Sequence, residues 1–229
     1  MLLGVTVKHD APQFAAAETA RSFKKSCFIV VNGMRWMIIA LTTTLLTTFG
    51  APSRAVGSEA ELTRLVAQNL LKRGGVALLL RHGQTESGVG DPPGFTLDNC
   101  KSQRNLSIDG RAQVRAMADR AKESGIRFAR VYTSQWCRCR DTAKLLAESK
   151  DQPRDWSVLN SQFADNPRIP DANEQIVSLL RTSPANESWL LVSHQVNIFA
   201  VTGVSPSSGE GVLVRVTPSG LSVLGRVTL

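Results

Sequence analysis

Only one Tyr, eight Phe and three His occur in 229 residues, and the aromatic share is 6%. So few rings leave little for stacking on bases, and the basic residues never gather into runs, so a net charge of +8 does not make this a nucleic-acid binder. Long apolar runs are missing too: the uncharged stretch from Trp36 to Phe49 falls short of the ~20 residues that a membrane-spanning helix needs. No internal repeat and no low-complexity stretch follows residue 56, which excludes solenoids and arrays. What is present, 42% hydrophobic and 20% charged residues, is the balance of an ordinary globular domain with a sizeable core.

The N-terminal quarter reads differently from the rest. Met34-Arg35-Trp36 precedes the short apolar core Met37–Phe49, and Gly50-Ala51-Pro52-Ser53-Arg54-Ala55 supplies a small-x-small site, the order of a secretory signal. Residues 1–55 are therefore expected to be a leader whose signal starts at Met34. The domain is expected over 56–229, exported to the bacterial periplasm and with no membrane span after cleavage. Removing the leader takes away six basic and two acidic residues and halves the net charge.

Cysteine agrees with export without fixing the bonding. Outside the leader stand Cys100, Cys137 and Cys139. Cys100 pairs with Cys137 or with Cys139, or all three stay reduced. A Cys-x-Cys pair with one distant Cys and no nearby His lacks metal-ligand spacing, so no metal is read.

From residue 56 helical and strand signals alternate. Ser58-Glu-Ala-Glu61 is a capping box, followed by Leu62, Leu65, Val66 and Leu70 at helical spacing up to Gly74-Gly75. Val76-Ala-Leu-Leu-Leu80 is a continuous apolar run, as in a strand buried on both faces. Ser107 caps a helix to about Glu123, Ala129–Thr133 is a strand, and a helix runs from about Arg138 to Glu148. Trp156–Leu159 reads as a weaker strand, Asn173–Arg181 as a helix and Trp189–Val192 as a buried strand. Gly211–Val216 and Leu221–Val227 read as a hairpin or two edge strands. This alternation indicates an α/β fold with a largely parallel central sheet and helices on both faces, in which ligands bind at the carboxyl ends of the strands.

Those ends carry the unusual residues. His82 follows the first apolar strand within Arg81-His-Gly-Gln-Thr85, His194 follows the late strand, and Arg138 opens the helix after Ser134. Guanidinium forks bind phosphate oxygens bidentately, and a neutral imidazole can attack phosphorus while a second one stabilises the transferring group. Two Arg beside two His thus point to phosphoryl chemistry that needs neither metal nor other cofactor. Gln195 and Asn197 flank His194, where they reach substrate or cap the following helix.

Four ordered elements, Leu79-Leu-Arg-His-Gly-Gln-Thr85, Asn105-Leu-Ser-Ile-Asp-Gly110 before a helix, Ser134-x-x-x-Arg138-x-x-x-Thr142-Ala143, and Val192-Ser-His194, resemble the histidine phosphatase superfamily over roughly residues 70 to 205. The resemblance implies a phosphoglycerate-mutase-like three-layer sandwich and a phosphomonoesterase acting on a small phosphorylated substrate, sugar phosphates among them. It implies His82 as the nucleophile that becomes phosphohistidine, Arg81 and Arg138 as phosphate ligands, His194 as the residue that completes the pocket, and Thr85 as a hydroxyl beside nucleophile or phosphate. The loop from Gly88 to Asn105 looks like that of an exported bacterial subgroup, related to lipopolysaccharide-core heptose phosphatases. Ser161 stands where many members carry a Glu general acid, and Asp165 is the nearest carboxylate and the candidate acid, or else a loop Asp capping a turn. Two other activities fit the same residues: a phosphate-binding module without turnover, and a phosphatase of protein phosphohistidine.

Overall fold

A computed structural model describes residues 64–88, 90–147, 152–163 and 171–229. The leader, the Ser58–Glu61 capping box and Asp165 lie outside the described residues. Among the described residues, no helix is long and apolar enough to cross a membrane.

In chain order the elements are α1 (Arg64–Arg73), β1 (Val76–Arg81), α2 (Ile108–Glu123), β2 (Arg130–Thr133), α3 (Cys137–Leu146), β3 (Arg154–Asp155), α4 (Ala172–Arg181), β4 (Ser188–Ser193), α5 (Gln195–Thr202), β5 (Gly211–Thr217) and β6 (Gly220–Val227). The six strands form one sheet in the order β3-β2-β4-β1-β5-β6. Its first four strands are mutually parallel, and β5 and β6 join as an antiparallel hairpin beside β1. The last two strands are therefore a hairpin, and of these two it is β6 that lies at an edge of the sheet, β3 forming the other edge.

Continuous apolar runs in β1 and β4 follow from burial on both faces. Leu78, Leu80, Leu190 and Val192 point into a core with Ala67 and Leu71 of α1, Val114 and Met117 of α2 and Ala143 and Leu146 of α3. Their neighbours Ala77, Leu79, Trp189 and Leu191 point the other way, against Ile176 and Leu180 of α4 and Ile198 of α5. The result is the expected three-layer α/β sandwich, each face worth ~25 cal/mol per Å² of apolar surface buried.

Local signals set the element ends. Ser107 caps α2 by accepting from the Gly110 N–H at 2.9 Å. The segment Trp156–Leu159 departs from the expected strand. The strand is Arg154–Asp155, and Ser157–Leu159 is a 3₁₀ turn closed by the Leu159 N–H on the Trp156 carbonyl at 3.0 Å. A strand would send the adjacent Val158 and Leu159 to opposite faces, whereas the turn buries both in the core under α4 and α5.

Parallel register brings three strand ends to one level. Arg81 pairs with Ser193 and Thr133 with Val192, so His82, His194 and Ser134 leave β1, β4 and β2 side by side.

Candidate active site

Close approach of backbone builds the floor. A Cβ on Gly110 would stand 1.8 Å from the Gln84 carbonyl oxygen, and one on Gly83 would stand 2.6 Å from Val114 Cγ2, so α2 can press on the loop after His82 only with glycine at both places. On the other side Thr142 of α3 accepts from the Gly83 N–H at 3.1 Å and donates to the Arg138 carbonyl at 2.7 Å. One hydroxyl thus ties the His82 loop to the helix that carries Arg138, which accounts for the Arg138-x-x-x-Thr142 spacing.

The two imidazoles are buried with their rings edge to face, centroids 5.4 Å apart. His82 Nδ1 lies 2.8 Å from the Gly83 carbonyl, an acceptor only, so Nδ1 carries the proton and Nε2 keeps its lone pair. His194 is arranged the opposite way. Its Nδ1 faces Arg138 Nη2 at 3.5 Å, a pure donor, so the proton sits on Nε2 and is donated to Ser134 Oγ at 2.9 Å. The Ser134 hydroxyl in turn donates to Asn160 Oδ1 at 3.2 Å. Burial first, then the nearby Arg138 charge, lowers His82 to about 3, against which the Gly83 hydrogen bond acts only in part. Burial, followed by the neighbouring His82 ring and the Arg138 charge, also holds His194 well below the ordinary range.

Around them, Arg81, Arg104 and Arg138 line a cavity of about 710 Å³ together with Asp91. Asp91 anchors the arrangement. Its carboxylate takes Arg138 Nη1 at 2.8 and 3.1 Å, Trp136 Nε1 at 3.0 Å and the Arg104 N–H at 3.0 Å. Burial pushes the Asp91 carboxyl up, but the Arg138 hydrogen bonds and charge outweigh it and the net shift is downward, so Asp91 is an anion. The Nε atoms of Arg81, Arg104 and Arg138 are all buried without a hydrogen-bond partner among the described residues. Three guanidiniums and one carboxylate leave a surplus of two positive charges, the complement of a phosphoryl dianion.

Every expected site residue except Asp165, which lies outside the described residues, has a place in the structure. His82, His194, Arg81 and Arg138 meet in the cavity, as does Ser161. Thr85 does not line it; it forms an isolated antiparallel bridge with Leu106. Gln195 lines the cavity and donates to Ser205 Oγ, whereas Asn197 is buried and supports the 160–162 turn through the Asn160 carbonyl at 2.8 Å and the Gln162 N–H at 3.3 Å. Cys100 is bonded to Cys137, leaving Cys139 as a free, buried thiol that burial pushes up to about 12. The disulfide fastens the loop bearing Asp91 and Arg104 to the first residue of α3. Among the described residues no His, Cys and carboxylate cluster suited to a metal ion is found.

Sequence reasoning missed Asp91, Arg104 and Trp136, and it placed Ser134 in a motif without giving it a role. Gly90-Asp91-Pro92-Pro93 reads as a plain turn, and only Gln103-Arg104-Asn105, directly before the Leu106-Ser107 helix start, offered a local signal for Arg104.

Several solved structures share this fold. The protein histidine phosphatase SixA complexed with tungstate is 14% identical, with a TM-score of 0.51 and coverage of 67% of this chain and 96% of that one. A mycobacterial glucosyl-3-phosphoglycerate phosphatase complexed with VO3 is 16% identical, with a TM-score of 0.51 and coverage of 66% and 97%. Mycobacterial hydrolase 1 is 16% identical, with a TM-score of 0.53 and coverage of 67% and 99%. At these identities the likeness establishes the fold. No curated protein matches the sequence. Residues 77–160, the stretch that carries His82 and the three guanidiniums but stops short of His194, match the histidine phosphatase superfamily (branch 1).

Proposed function

We propose that the chain is a histidine phosphatase that hydrolyses small phosphomonoesters without a metal, through a phosphohistidine on His82. One observation carries the reading: a neutral imidazole with Nδ1 committed to a backbone carbonyl and, among the described residues, no partner on Nε2, beside three guanidiniums whose buried Nε–H groups likewise lack partners among those residues. In the first step the Nε2 lone pair forms the N–P bond while the ester P–O bond breaks, and the leaving alkoxide takes a proton. In the second, water attacks phosphorus while the carboxylate that protonated the leaving group takes a proton from it, the N–P bond breaks with its electron pair returning to Nε2, and inorganic phosphate leaves. Arg81, Arg104 and Arg138 neutralise the equatorial oxygens throughout, the work a divalent ion does in other phosphoryl transfers. His194 reinforces them once its Nδ1 takes a proton, which the charge of a bound dianion favours.

Asp91 is unsuited to protonate the leaving group, because four donor contacts hold it as an anion. Asp165 is the donor in this proposal. The Leu-Thr core and small-x-small site of residues 34–55 support periplasmic export, and the mature chain should begin near Val56; an intact leader on a cytoplasmic protein would refute that part.

The test is hydrolysis of p-nitrophenyl phosphate by the purified chain. Turnover that persists in EDTA and is blocked by vanadate is the expected result. Turnover that vanishes on chelation and returns with a divalent ion would overturn the mechanism.

A further inference from the structure

The charged groups lining the cavity, Arg81, Asp91, Arg104 and Arg138, are the ones that serve the phosphoryl group in the reading above. The rest of the described lining is largely apolar: Phe95, Phe163 and Val196, together with Gly88 and Gly90. At neither glycine would an added Cβ meet an atom within 4 Å outside its chain neighbours, so neither of these two positions itself presents a side chain to the cavity. Phe163 is 56% exposed at the mouth. Phe95 is half-buried and rests on Trp136, ring centroids 5.6 Å apart, so its position is fixed by the same residue that donates to Asp91. On α5, Phe199 is also 56% exposed and lies three residues beyond Val196, the spacing of one helical face. Exposed aromatic surface beside a concave polar site is the usual mark of a ligand-contact surface.

In the described lining the neutral polar side chains are few, Ser161 and Gln195. Ser161 Oγ accepts from the Phe163 N–H at 3.4 Å, and the Gln195 side-chain amide donates to Ser205. A polyol such as a sugar carries several hydroxyls, each needing a partner when it leaves water, and a site selective for it presents those partners. The described lining offers no such set.

We propose that the preferred substrate is a phosphomonoester whose organic part is an aromatic ring or a comparable flat hydrocarbon, selected by Phe95 and Phe163. The inference rests on the phosphomonoesterase reading for its floor and adds the identity of the group above it. Transfer of most of a ring from water onto these faces corresponds to a preference of about ten- to a hundredfold.

Two primary-alcohol esters, 2-phenylethyl phosphate and glycerol 3-phosphate, compare the organic parts without an acidic leaving group in either. With the full chain, kcat/KM should favour 2-phenylethyl phosphate at least about tenfold, mainly through KM. Calorimetric binding of 2-phenylethylphosphonate and 2,3-dihydroxypropylphosphonate, which cannot be hydrolysed, should show the same order. In Phe163→Ala, whose wild-type side chain is mostly exposed, and in Phe95→Leu, which keeps apolar volume against Trp136, the preference should fall toward one. A ratio near one in the wild-type chain, or one that both variants leave intact, would overturn the inference. Absent turnover on both esters with the binding preference retained would refute the phosphatase reading and leave the aromatic wall standing; efficient turnover of both with no preference would do the reverse.

Discussion

β1 and β4 lie side by side in parallel register, each almost wholly apolar and each running directly into a histidine. Yet the two imidazoles commit opposite nitrogens. His82 spends Nδ1 on the carbonyl of its own neighbour, a bond set by the local chain. His194 spends Nε2 on Ser134, a residue of the β2 end sixty positions away, and turns Nδ1 to Arg138. The same strand pattern therefore delivers one ring with a free nucleophilic nitrogen and another built into a charge network. What separates them is the partner each loop supplies.

Removing the free Nε2 should cost most. His82→Ala should lose about 10⁴-fold or more in kcat, since loss of a nucleophile leaves only binding and electrostatics. His194→Gln, which keeps a polar side chain of similar size, should cost about 10²- to 10³-fold, the loss from deleting one charge-stabilising donor. Steady-state kinetics on one ester decides between them: equal losses would erase the distinction between nucleophile and stabiliser.

Asp91→Asn probes the framework around His194. The amide cannot pair with Arg138 as a carboxylate does, so the guanidinium is set less firmly and kcat should fall by up to about 10²-fold, the cost of a small misplacement. Because Asp91 is already an anion that moves no proton, the loss should be the same for p-nitrophenyl and alkyl esters. A loss confined to alkyl esters would make Asp91 the acid and contradict the assignment. Ser134→Ala removes the acceptor for His194 Nε2–H along with the Asn160 and Trp136 contacts of the same hydroxyl, and the His194 bond, at ~0.5–1.5 kcal/mol net, corresponds to about a 2- to 10-fold drop. His82→Ala should remain insensitive to that second change.

Acid stability sharpens the comparison without touching turnover. Both imidazoles are held neutral in the fold, whereas they accept protons near the ordinary pKa of about 6.5 when unfolded. A depressed folded-state pKa means that the unfolded chain binds more protons across the gap, so stability should fall as pH drops below about 6.5 and keep falling toward about 3 on account of His82. Urea unfolding between pH 7 and 4 should show this slope, reduced in His194→Gln. A flat profile would mean that the rings are charged in the fold.

How much of this could be read in the sequence depended on distance along the chain. The sheet was legible because Val76–Leu80 and Trp189–Val192 are apolar without interruption, and α2 was legible because Ser107 and Gly125 mark its ends. His82, His194, Arg81 and Arg138 were legible as polar residues at those strand ends. Asp91 and Arg104 were not: their loop has no period, and Asp91 gains its role only through Arg138 and Trp136, more than forty residues further on. Trp156–Leu159 was misread because four residues cannot distinguish a strand from a turn that buries two adjacent side chains. The pairing of Cys100 with Cys137 rather than Cys139 likewise depends on α3 presenting its first residue to the loop.

The central claim is that His82, and not His194, carries the phosphoryl group. Rapid quench of the full chain with ³²P-labelled substrate, followed by peptide mapping under alkaline conditions, tests it directly. The account predicts an alkali-stable, acid-labile label on the peptide containing His82, absent in His82→Ala and still formed, more slowly, in His194→Gln. Label on His194, or undiminished labelling of His82→Ala, would contradict it.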